Sequence, residues 1–136
     1  MNIERTLLII KPDGVARGLL GEVLVRIERK GYRIEEIKSL TMDRKLAERH
    51  YAEHKGELFY ENLINYIIEG PIIVAIISGE NSIENLRTIM GATDPLDATA
   101  GSIRGAYATS VTRNLVHGSD SPESAAREIS LFFPDE

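Results

Sequence analysis

The residues best suited to chemistry in this chain are one histidine in a turn, one glutamate a helix later, and a few cations in loops. His117 lies within Asn114-Leu115-Val116-His117-Gly118-Ser119-Asp120-Ser121-Pro122-Glu123. Asp120 or Ser121 can cap a following helix, Pro122 suits its first position, and acidic Glu123 suits its first turn. A histidine ending an extended segment beside a helix N-terminus sits where backbone dipoles favour an anion such as phosphate. Glu128 can accept the N–H of one ring nitrogen, which leaves the other free to attack an electrophile. If that electrophile is a phosphoryl group, cations must face its oxygens. Lys11, Arg87, Arg104 and Arg113 are the loop cations on offer. Taken alone, each is equally a solvated surface charge, and the turn an ordinary capped one.

Other signatures narrow the choice. There is no G-x-x-x-x-G-K-[ST] phosphate loop, and Gly14, Gly18 and Gly21 do not make the dinucleotide pattern G-x-G-x-x-G. His50-Tyr51-Ala52-Glu53-His54 matches the H-x-x-E-H zinc pattern, with both imidazoles on one helical face. Two free positions make that match weak, and the chain is small for a peptidase, so surface-helix histidines are the preferred reading. The chain has zero cysteines, so it offers no disulfide, thiolate metal site or cysteine nucleophile.

The elements that must position these residues follow from periodicity. Thr6-Leu7-Leu8-Ile9-Ile10 reads as a buried strand ending in a turn at Lys11-Pro12-Asp13-Gly14. Leu20, Val23, Leu24 and Ile27 recur at helical spacing, with Gly31 as a stop. Residues 34–42 look extended, with a bulge where the Ile34/Ile37 spacing breaks alternation. Asp43 caps a short helix to about Glu53. Tyr60, Leu63, Ile64 and Ile67 mark another helix, closed by Gly70-Pro71. Ile72-Ile73-Val74-Ala75-Ile76-Ile77 is a second buried strand, and Asn81 or Ser82 opens a helix carrying Ile83, Leu86 and Met90. From Gly91 to Asn114 no period holds, and so long an irregular stretch in a compact domain is usually functional. A helix from Pro122 to about Ile129 closes the order. The implied fold is an α+β sandwich of βαββαβ type, with helices on at least one face of the sheet.

The totals agree with one globular domain over residues 1–136, at 43% hydrophobic and 27% charged residues. A formal net charge of −5 argues against nucleic-acid binding through a basic surface, so a polyanionic ligand would need a local cationic pocket. No apolar run reaches membrane-span length. The first residues lack signal-peptide order, so a cytoplasmic protein is the expectation.

Read together, these residues resemble the nucleoside diphosphate kinases over essentially the whole chain. Asn114-Leu115-Val116-His117-Gly118-Ser119-Asp120 is similar to that family's N-x-x-H-G-S-D signature. Gly91-Ala92-Thr93-Asp94-Pro95 and Gly101-Ser102-Ile103-Arg104-Gly105 resemble its other hallmarks. The resemblance implies a ferredoxin-like fold with a four-stranded antiparallel sheet. It also implies ping-pong transfer of a γ-phosphate from nucleoside triphosphates to nucleoside diphosphates. His117 would carry the phosphoryl group, with Glu128 and Ser119 orienting its ring. Lys11, Tyr51, Arg87, Thr93 and Arg104 would contact the phosphates, and Asn114 with Lys11 the sugar hydroxyls. Phe59 and Val111 would flank the base, giving broad base tolerance. Mg2+ would ride on the nucleotide phosphates rather than in a protein cage. The family also implies a homo-oligomer, tetramer or hexamer. Ser102, Ala106, Leu58 and Ala100 depart from the usual threonine, aspartate, proline and proline, and Ile77-Ser78-Gly79 from a bulky-Glu-Gly run. Ala106 in particular implies a missing ion pair or interface contact. The alternative is a nucleotide-binding or scaffold module on the same fold, with little exchange activity.

Overall fold

Strand β1 (Ile3–Ile10) is buried from Thr6 onward and forms a central strand of the sheet. In the computed structural model, which describes residues 2–136, it pairs antiparallel with β3 (Ile72–Glu80) on one side and β4 (Val116–Gly118) on the other. Strand β2 (Arg33–Leu40) pairs antiparallel with β3, so the order is β2-β3-β1-β4. The bulge expected in β2 falls between Ile34 and Glu36. Such a connectivity, with β1 and β3 central and joined through helices, is the ferredoxin-like arrangement.

Alternation along β1 divides the core into two. Leu7 and Ile9 point into a cluster with Val74, Ile76, Ile64 and Ile67 of α4 (Tyr60–Ile67), and Ile129 and Phe132 of α7 (Pro122–Phe132). Leu8 and Ile10 point the other way, to Val23 and Ile27 of α2 (Leu20–Arg29) and Leu86 and Met90 of α5 (Ser82–Met90). Helices therefore cover both faces. Both β1 and β3 read as near-continuous apolar runs because both of their faces are dry. Each fully buried Leu or Ile contributes about 1.5–3 kcal/mol of transfer free energy.

Three stretches differ from the sequence reading. The turn after β1 is a short helix, α1 (Pro12–Ala16), with Pro12 in its first turn where no N–H is required. The irregular stretch 91–114 contains a 3-10 turn at Pro95–Asp97 and a helix, α6 (Ile103–Tyr107). Both are too short to show a period, and both are organised by caps. Asp94 accepts from the Leu96 amide at 3.0 Å, and the Ser102 hydroxyl accepts from the Gly105 amide at 3.1 Å while donating to the Thr99 carbonyl at 2.7 Å. Finally, α7 runs on past Ile129 to Phe132, whose ring is buried in the first core. The Asp43 cap does form, accepting from the Leu46 amide at 2.8 Å at the start of α3 (Arg44–His50). That helix stops at His50, and a 3-10 turn at Ala52–His54 completes the expected segment.

Candidate active site

His117 is carried by β4, paired with Ile9 of β1, and projects on the face that holds α3, α4 and α7. Its Nε2 lies 2.9 Å from Glu128 Oε1, on α7. The same carboxylate oxygen accepts from the Ser119 hydroxyl at 2.7 Å, and Ser119 Oγ in turn accepts from the Leu7 amide at 3.2 Å. Glu128 is 4% exposed. Burial alone would raise its carboxyl, but hydrogen bonds from His117 and Ser119 and the nearby imidazoles overcome this and hold it below the usual carboxylate range. An ionised carboxylate can only accept. In the neutral imidazole Nε2 of His117 therefore carries the proton, and Nδ1 carries the free lone pair.

The approach to His117 is strained. Leu115 has φ +77° and is fully buried, and the Val116 amide donates back to the Asn114 carbonyl at 2.9 Å. That is a γ-turn of positive φ, costing on the order of 1–3 kcal/mol. It is locked from outside, because the Leu115 carbonyl accepts from the Lys11 amide at 2.8 Å.

The histidine opens onto a cavity of about 500 Å3, large enough for a small-molecule ligand. Lys11, Tyr51, Phe59, Arg87, Thr93, Arg104, Val111 and Asn114 line it, together with His117 and Glu128. Two of the residues picked out in the sequence do not line it, and one of them, Ser119, lies behind the wall, fully buried against Glu128. Arg113 does not join the group. It is exposed and pairs with Glu69 at 2.5 Å over the Tyr66 ring.

Two cations in the cavity are far from solvated surface charges. Lys11 is 7% exposed and donates from Nζ to Asn114 Oδ1 at 2.9 Å. Burial, then the charge of Arg104, pushes its ammonium down to about 8, with Asp13 opposing. Arg104 is 6% exposed and donates to the carbonyls of Asn114 at 3.3 Å, Gly91 at 2.8 Å and Val116 at 2.7 Å. Burial, then Arg87, lowers its guanidinium to about 10, so it remains a cation at neutral pH. It thus clasps both ends of the 91–114 stretch, and two of its five N–H groups are not used in these bonds. Ala106, two residues on, is exposed. Arg87, more exposed, donates to the Gly118 carbonyl at 3.1 Å. Asn114 is tied by Nδ2 to the Val111 carbonyl at 3.0 Å. Phe59 and Val111 are 41% and 53% exposed, apolar surfaces left bare on the cavity wall.

The reading of His50 and His54 as surface histidines is corrected for His50, which is 3% exposed. Its ring lies 5.0 Å from that of His117 at 82°, with Tyr51 at 4.5 Å and Phe132 at 5.6 Å. Burial first, then His117, drives its imidazole well below its ordinary pKa, so it is neutral. His54 instead contacts Glu57 at 3.2 Å and the Phe59 ring at 5.5 Å. Among the described residues no group of three or more His, Cys, Asp or Glu could hold a metal ion. The signal for His50 was available. It follows Leu46 and Ala47 at helical spacing, on the apolar face of α3. Tyr51 Oη is buried without a partner, and burial followed by the Glu128 charge raises its pKa, so it stays a phenol able to donate. Tyr66, which donates to Asp13 beneath Lys11, had no such signal.

A histidine backed by an ionised carboxylate, facing buried cations in a ligand-sized cavity, defines an α+β enzyme built to handle phosphate. Comparison with known proteins agrees. The family model for nucleoside diphosphate kinase matches residues 4–136. The nucleoside diphosphate kinase of Pelotomaculum thermopropionicum is 53% identical over 131 residues, covering 96% of this chain and 88% of that protein. That of Archaeoglobus fulgidus is 52% identical over 134 residues, covering 98% and 89%. Among solved structures, the Aquifex aeolicus nucleoside diphosphate kinase superposes with a TM-score of 0.94 at 36% identity, covering 96% of this chain and 95% of that one. The chain belongs to the nucleoside diphosphate kinase family, and it is a phosphotransferase.

Proposed function

We propose that this chain moves the γ-phosphate of a nucleoside triphosphate to a nucleoside diphosphate through a phosphohistidine at His117. The observation that carries the site assignment is the 2.9 Å contact between Nε2 and an ionised Glu128, which leaves Nδ1 as the nucleophilic nitrogen. In the first half-reaction the Nδ1 lone pair attacks the γ-phosphorus. The P–O bond to the β-phosphate breaks, and the nucleoside diphosphate leaves with the electron pair on its β-phosphate oxygen. The imidazolium charge that develops is stabilised by Glu128, with Ser119 holding that carboxylate in place. In the second half-reaction a β-phosphate oxygen of another nucleoside diphosphate attacks the phosphohistidine, and His117 recovers its lone pair.

Lys11, Tyr51, Arg87, Thr93 and Arg104 are the phosphate contacts in this reading, supported by their shared cavity with His117. Lys11 and Asn114, already joined at 2.9 Å, suit the sugar hydroxyls. Phe59 and Val111 offer apolar surface to either face of a base, so any base is accepted. Mg2+ would be held by the nucleotide phosphates and would supply neutralisation of their charge. The cavity also carries Glu53, Asp120 and Glu128. Among the described residues, though, no group of carboxylates and histidines is close enough to cage a metal ion, and that fits such a route. The whole chain acts as one domain, in the cytoplasm, as a homotetramer or homohexamer. Among the described residues no helix is long and apolar enough to cross a membrane.

Incubation with γ-labelled ATP and Mg2+ tests the reading. An alkali-stable, acid-labile label should appear on the protein, chase onto added nucleoside diphosphate, and be lost in His117→Ala. An unlabelled wild type, or label persisting in His117→Ala, overturns the site assignment. Light scattering gives the subunit number.

A further inference from the structure

The hydrogen bond to Glu128 fixes one point of the His117 ring, but a ring held at one atom can still turn about that contact. The second restraint comes from α3. His50 is buried and packs its ring against that of His117 at 5.0 Å and 82°, a tilted edge-to-face contact. His50 is itself held between Tyr51 and Phe132. We propose that His50 is a positioning residue for the nucleophile, its ring blocking rotation of His117 so that Nδ1 stays turned to the cavity.

The chemistry of the contact suits this role. No hydrogen bond joins the two imidazoles, so His50 orients His117 without engaging the nitrogen that must attack. Lys11 and Arg127 face His50 as cations, and Glu128 as the counter-charge. A group there that stays neutral adds no competing partner for the Glu128 carboxylate. The buried Nδ1 of His50 has no hydrogen-bond partner, so that nitrogen does not account for the ring's placement.

The test rests on the reading of His117 as nucleophile, and wild-type labelling separates the two. If wild type takes no label, that reading fails; if it does, the variants decide this one. Three substitutions are compared, each checked for native circular dichroism. His50→Ala removes the ring, His50→Leu fills the space without a flat edge, and His50→Phe keeps a ring without nitrogens. Single-turnover phosphorylation at saturating ATP should fall about ten- to a hundredfold in His50→Ala and His50→Leu, as misorientation does. It should stay within about threefold of wild type in His50→Phe. ADP affinity should be unchanged throughout. In 15N spectra, His117 should keep the Nε2-protonated tautomer in wild type and His50→Phe and show a mixture in His50→Leu. Wild-type rates in His50→Leu, a His50→Phe enzyme as slow as His50→Leu, or a loss confined to ADP affinity would each overturn the proposal.

Discussion

A Cβ on Gly14 would lie 3.0 Å from the Leu115 carbonyl oxygen and 2.9 Å from Ile10 Cγ2. The chain is therefore bare at Gly14 because the strained turn before the histidine passes directly over it. Gly14→Ala should force that turn outward, at a cost of about 1–3 kcal/mol for overpacking. Urea unfolding together with phosphorylation rate measures this, and both should fall. A variant with wild-type stability and rate would show that the turn has slack.

Glu128→Gln should keep the fold and lose the chemistry. An amide can present its NH2 to Nε2, which favours the wrong tautomer and removes the charge that balances the imidazolium. The phosphorylation rate should drop by a factor on the order of a hundred or more, as for other oriented histidines that lose their carboxylate. Ser119→Ala should cost less, since Glu128 keeps its contact with His117. Rapid-quench kinetics at saturating ATP would show the ranking, and equal losses would contradict it.

Lys11 sets a pH limit on nucleotide affinity. Its ammonium is lowered to about 8 in the free protein, so it is charged below that pH and neutral above it. A bound phosphate favours the charged form and raises the value again. ADP affinity should therefore fall as pH rises through about 8, and binding above that pH should take up a proton. Calorimetry in two buffers of different ionisation enthalpy reads the uptake. Lys11→Met should weaken binding at pH 7 and flatten the profile, while a wild-type profile flat to pH 9.5 would remove Lys11 from the phosphate site.

Arg104→Lys should behave as a structural lesion as well as a binding one. An ammonium cannot reach the three carbonyls that the guanidinium fork bridges, from Gly91 to Val116. Leaving buried carbonyls unpaired costs about 1–3 kcal/mol. The melting temperature should drop, and protease sensitivity should rise within residues 91–114. Unchanged stability with weaker nucleotide binding would make Arg104 a phosphate contact alone.

Much of this molecule was legible in the chain. The strands at Thr6–Ile10 and Ile72–Ile77 announced themselves because a strand buried on both faces must be apolar throughout. The β2 bulge showed as a broken alternation and the cap at Asp43 as a residue type that satisfies helix N–H groups, while the choice between Asp120 and Ser121 fell to Ser121 only in the fold. Tyr51 and Thr93 were named only by likeness to a family, and before that likeness Lys11, Arg87 and Arg104 were loop cations no different from Arg113. Spacing carries no information on residues joined through the fold. Helix α6 was missed because five residues show no period, and its start depends on a serine hydroxyl used as both donor and acceptor.

What the sequence determined by itself was the set of parts: the buried strands, the capped helix after His117, and a glutamate on that helix. Local propensity and hydrophobic period act over a few residues, and so they can be read from a few residues. Only the tertiary structure decided which ring nitrogen is free. It decided too that Lys11 and Arg104 are buried cations rather than surface ones, and that His50 lies against His117. Those facts follow from burial and from contacts between distant segments. Desolvation and hydrogen bonding across such contacts set the protonation state, and neither exists until the sheet closes.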